Sequence, residues 1–122
     1  MKKISILIAL LLSMSIQLEA QTPESLAEMK CGACHLIGKI TKEKLKNMKA
    51  PPYWALAKKI KASYPTREEG VRFLVDYTLN PSQEKMLFPK ETKEKFGIMP
   101  SQKGLVSEAE LQIISTYIFG GK

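Results

Sequence analysis

Every cysteine and histidine of this chain falls within five consecutive positions, Cys31-Gly32-Ala33-Cys34-His35. On a helical turn, residues three and four apart share a face. Cys31, Cys34 and His35 therefore present two thiols and an imidazole to one side. A chain of 122 residues is one small domain. Such a domain buries a modest core and commonly leans on a disulfide, a metal or a cofactor. A disulfide between residues three apart closes almost no loop and would stabilise little. A structural zinc site needs four ligands, and only three such groups are present. A thioredoxin-like C-x-x-C requires a βαβ setting, whereas the rest of the chain reads as helices.

The order Cys-x-x-Cys-His is the attachment signature for c-type haem. Two thiols on one face can add to the two vinyl groups of a single porphyrin while the adjacent imidazole reaches its iron. Gly32 and Ala33 are small, so a flat ring can lie close to the backbone. Cys31 and Cys34 are thus the expected covalent attachment points for one haem c, with His35 as an axial ligand. No second histidine exists to complete the pair, which leaves methionine as the soft donor. Met29 lies two residues before Cys31 on the same helix and cannot reach the other side of a ring. Met99, in Gly97-Ile98-Met99-Pro100, sits where a glycine permits a turn and a proline stiffens the chain. It is the expected second ligand. Met86, Met48, a lysine or an open position are the alternatives.

Residues 1–20 read as an export signal. Lys2 and Lys3 precede an apolar run from Ile4 to Ile16 that is too short to span a bilayer, and a small residue, Ala20, follows. Cleavage after Ala20 would leave 21–122 as one domain in the periplasm; a retained N-terminal anchor is the alternative. The mature part reads as all-α. Thr22-Pro23 opens a helix running into the cysteine motif. Residues 36–50 read as a polar loop with a short helical turn after Thr41. Pro51-Pro52 opens a helix ending near Tyr64-Pro65. Thr66 and Glu69 form a capping box for a helix that Asn80-Pro81 stops, and Ser107 and Glu110 form another for the last helix. Leu111, Ile114 and Ile118 mark that helix's apolar face. Between them, 81–100 is irregular, with a short turn at 91–96.

With these motifs in hand, the chain resembles the small soluble monohaem cytochromes c (class I). The resemblance rests on Cys31–His35, Ala50-Pro51-Pro52-Tyr53, Gly97-Ile98-Met99-Pro100 and the closing helix from Ser107. It implies a cytochrome c-like fold, with N- and C-terminal helices crossing and helices and loops wrapped around one covalently bound haem. It also implies that the Pro51 carbonyl accepts a hydrogen bond from the His35 imidazole. The 15 residues between His35 and Pro51 are more than the shortest relatives carry.

The chain has a formal net charge of +7, and the excess is local. Lys39, Lys42, Lys44, Lys46, Lys49, Lys58, Lys59 and Lys61 are opposed over that stretch by Glu43 alone. They are expected to steer an acidic redox partner protein, donor or acceptor, towards the haem edge. Export argues against nucleic acid. Tyr53, Trp54 and Tyr64 are candidate contacts to the ring or its propionates. The functional expectation is a monomeric single-electron carrier without catalysis or a small-molecule substrate. The alternative is a haem sensor, or a cytochrome subunit of an oxidoreductase, with a displaceable axial ligand.

Overall fold

Local capping chemistry sets where each helix of this protein begins. The computed structural model describes residues 21–120; the segment read as an export signal lies outside them. Six helices run in the order α1 (Pro23–Cys31), α2 (Lys42–Lys46), α3 (Tyr53–Ser63), α4 (Arg67–Leu79), α5 (Lys90–Phe96) and α6 (Glu108–Ile118). There is no strand among the described residues, so the all-α expectation holds. None of the helices among them is long and apolar enough to cross a membrane.

The Thr22 hydroxyl caps α1 by accepting from the Ser25 N–H, with Pro23 at the first helical position. Thr41 does the same for α2. In α4 and α6 the cap is reciprocal: Thr66 pairs with Glu69, and Ser107 with Glu110, each side chain bonding the other's backbone N–H. Pro52 and Pro89 precede α3 and α5 in extended conformation without a side-chain cap. Asn80, ahead of Pro81, ends α4.

The last helix organises the core. It packs most extensively on α1, and also on α4 and α3, while α3 packs on α4. Leu111 and Ile114 are each 1% exposed, and Ala27 of α1 is wholly buried. Leu26, Ile37, Ala57, Ile60, Val75, Val106, Ile118 and Phe119 belong to the same cluster. Leu36 and Ile37 are buried as well, so the start of the stretch expected to be a polar loop contributes to the interior. Salt bridges Lys30–Glu110 at 3.4 Å and Lys44–Glu28 at 2.7 Å tie α1 to α6 and to α2. Both pairs are partly exposed, and ion pairs open to solvent contribute little to stability.

Close approach of α4 to its neighbours depends on Gly70. A Cβ there would lie 3.0 Å from Ile60 Cγ2 and 3.6 Å from the Phe119 ring. Alanine presses on one methyl group, whereas a branched side chain has no room. Gly70→Val is therefore expected to destabilise the fold by about 1–3 kcal/mol through overpacking, measured by urea denaturation. Unchanged stability would contradict this account of the α3–α4 contact.

Candidate functional site

The cysteine motif straddles the end of α1. Cys31 is the last helical residue, and the Cys34 and His35 N–H groups both donate to the Cys31 carbonyl, at 3.3 and 3.0 Å. That tight turn holds the two thiols and the imidazole together. The chain then leaves the core, forms α2 and returns, closed at its base. The Lys49 N–H donates to the Cys34 carbonyl at 3.0 Å, and the Tyr53 N–H to the Leu36 carbonyl at 3.1 Å. Between these two bonds, His35 Nδ1 lies 2.6 Å from the Pro51 carbonyl oxygen. A carbonyl cannot donate, so Nδ1 carries the proton and Nε2 keeps its lone pair. The 15 residues between His35 and Pro51 form a lobe whose ends are pinned, so its length does not disturb the pairing. Within the lobe, the Gly38 N–H donates to the Tyr117 hydroxyl at 2.9 Å.

His35 and both cysteines line one cavity, which opens partly to solvent. Ile60, Val106, Leu111, Ile114 and Ile118 form its inner wall, so the core residues of α3 and α6 face it directly. Phe73 and Tyr77 of α4, Phe88 and Phe96 add aromatic surface. Among the described residues no carboxylate lines it, and the cationic residues that do are Lys30 and Lys49. Lys30 is engaged, donating to the Leu105 carbonyl at 3.0 Å and pairing with Glu110.

Met99 and Met86 both reach this cavity, and Met48 is absent from its lining. Met29 points outward at 63% exposure, its sulfur accepting from Gln21 Nε2 at 3.7 Å. Met99 follows a turn that requires glycine: Gly97 has φ 74° and ψ −166°, a region closed to other residues without strain. Beyond the turn, the Ser101 hydroxyl donates to the Leu79 carbonyl at 2.6 Å and the Gln102 N–H to the Thr78 carbonyl at 3.0 Å. The thioether is thereby anchored to the end of α4.

Burial pushes the Cys31 thiol up to about 11, with a smaller contribution from Cys34. Cys31 is thus a protonated thiol at neutral pH and not an activated nucleophile, which counts against a thioredoxin-like role. Burial holds His35 below the usual histidine range, against the opposing pull of the Pro51 hydrogen bond. The imidazole is neutral at pH 7, the form that binds metal. Among the described residues, no three His, Cys, Asp or Glu side chains converge where they could hold a bare metal ion. Donors spread around a wide apolar cavity suit an extended flat group better than an ion.

The structure places several of the candidate residues away from the cavity or in other contacts. Tyr53, Trp54 and Tyr64 do not line the cavity. Tyr53 packs against Trp54 and Tyr117, with ring centroids 5.4 and 4.8 Å apart, and Tyr64 stacks on Phe73 at 5.2 Å. Aromatic–aromatic contact claimed these rings. Lys44 does not stand free for docking: its ammonium binds Glu28 and donates to the Ile37 carbonyl at 3.1 Å, fastening the lobe to α1. Lys59 is half-buried, while Lys39, Lys42, Lys46, Lys49, Lys58 and Lys61 are exposed.

No family model matches the chain, and no solved structure matches it. An uncharacterised protein of Aquifex aeolicus (strain VF5) is 30% identical over 101 aligned positions, covering 73% of this chain and 66% of the relative. The chain thus spans slightly less than two thirds of that relative's length.

Gly97→Ala is expected to cost about 1–3 kcal/mol through backbone strain and to displace Met99 from the cavity. Thermal denaturation measures the first effect. An unshifted melting temperature would show that the turn tolerates a side chain.

Proposed function

We propose that this chain is a periplasmic electron carrier bearing one haem c, attached through Cys31 and Cys34 and bound axially by His35 and Met99. One observation carries the proposal: a single apolar cavity gathers both thiols, a thioether and an imidazole whose Nε2 is left available by the Pro51 hydrogen bond. The packing of α1 on α6, with helices and loops arranged around that cavity, supports a cytochrome c-like fold of the class I type.

The residues fit such a group. The turn at Cys31–His35 sets two thiols beside a neutral imidazole, as covalent attachment and iron ligation require together. The haem would supply a reversible one-electron ferric–ferrous couple. The Pro51 carbonyl fixes the ring orientation of His35 and strengthens it as a donor. A thioether in the other axial position raises the potential relative to stronger donors. Ile60, Leu111, Ile114 and Ile118 keep water from the inner wall, which disfavours added charge and acts in the same direction. His35 and Met99 together would complete the iron's ligation and leave no position for a substrate, which would favour electron transfer over catalysis. The exposed lysines at 39, 42, 46, 49, 58 and 61 supply a basic surface for an acidic partner, and Lys49 borders the cavity itself.

Carbon monoxide tests the ligation. Ferrous protein is expected not to take up the gas at neutral pH; ready uptake would favour a sensor with a displaceable ligand. Ionic strength tests the docking. The rate of electron exchange with an acidic redox protein is expected to fall several-fold between about 10 and 150 mM salt, as the Debye length shortens. A rate independent of salt would contradict a role for the lysines.

A further inference from the structure

The cavity holds one more soft donor than an axial pair needs. His35 and one thioether would complete the pair, yet Met86 and Met99 both line it. They arrive on different segments, Met86 on the chain between α4 and α5 and Met99 on the turn after α5. The two segments are fastened to the same place, the C-terminal end of α4. Ser101 and Gln102 hold the Met99 segment to the Leu79 and Thr78 carbonyls. Lys85, adjacent to Met86, donates to the Asn80 carbonyl at 3.1 Å and forms a salt bridge with Asp76 at 2.8 Å. The bond from Lys85 also holds the Asp76 carboxyl below its usual range, so this clamp is ionised at neutral pH.

The two clamps share no side chain, so the fastening of one segment does not depend on that of the other. Methionine is unbranched and reaches across irregular gaps through three rotatable bonds. Met86 is half-buried. Met29 and Met48 are absent from the cavity lining.

Resting on the haem reading above, we infer that Met86 is a reserve axial ligand, which takes the iron when the 97–100 turn withdraws Met99. The exchange replaces one neutral thioether with another. The bond from the Met99 sulfur to the iron would break and one from the Met86 sulfur would form, with no proton or electron transferred. Its consequence is that movement of the turn does not open the iron to small ligands.

The test uses haem-loaded protein carrying Met99→Leu, Met86→Leu or both. Leucine conserves volume, so the packing survives. Met99→Ala, read in the same way, guards against a leucine that blocks the approach of Met86. Two readouts serve: the thioether-to-iron charge-transfer band of the ferric protein, and its affinity for imidazole. Met86→Leu is expected to keep the charge-transfer band, since Met99 remains in place. Met99→Leu or Met99→Ala is expected to keep a weakened band and to bind imidazole at least tenfold more weakly than the double variant, which loses the band. If both single Met99 variants match the double variant, the inference is overturned while the haem reading stands. Loss of the band in Met86→Leu alone would also overturn it, by making Met86 the resident ligand. A wild-type protein without covalent haem would overturn both together.

Discussion

The hydrogen bond from His35 Nδ1 to the Pro51 carbonyl, at 2.6 Å, joins the cysteine turn to the start of α3. It is worth about 1 kcal/mol net as a neutral hydrogen bond, and its structural consequences are wider. It selects one tautomer of the only histidine in the chain and aligns the ring. With the Lys49–Cys34 and Tyr53–Leu36 backbone bonds on either side, it closes the base of the 36–50 lobe. The lobe then returns the chain to the core in the right place for α3 to meet α4 and α6. The cavity wall contributed by Leu56 and Ile60 depends on that return.

Much of this arrangement was legible because it is local. Capping depends on residues three apart, so Thr22, Thr66 with Glu69, and Ser107 with Glu110 announced three helix starts without knowledge of the fold. Asn80-Pro81 announced an end for the same reason. The spacing of Cys31, Cys34 and His35 fixed their shared face. The face of α6 followed from Leu111, Ile114 and Ile118, all of which are buried.

What could not be read depends on where elements meet in space. Phe88 and Phe96 sit in irregular or short helical sequence with no periodicity to assign them a face, yet both line the cavity. Tyr53 and Trp54 looked like ring contacts from their place beside Pro51-Pro52, but Tyr117 on the distant last helix takes the Tyr53 ring. Gly70 carries no signal of its own; its importance comes from the approach of Ile60 and Phe119. Lys44 belonged by composition to a basic run, and only the fold reveals Glu28 beside it. Among the methionines, sequence placed Met99 first from its turn and kept Met86 and Met48 as alternatives, and the fold brings Met99 and Met86, but not Met48, to the cavity.

The central claim is that the Cys31–His35 turn holds a covalently attached haem. Intact-mass measurement of the protein, purified after expression in a host competent for cytochrome maturation and then denatured, tests it most directly. The account predicts a chain heavier than its processed sequence by the mass of one haem, with the added mass retained after acid–solvent extraction. A chain at its bare sequence mass, or one that yields its haem to the solvent, would contradict it.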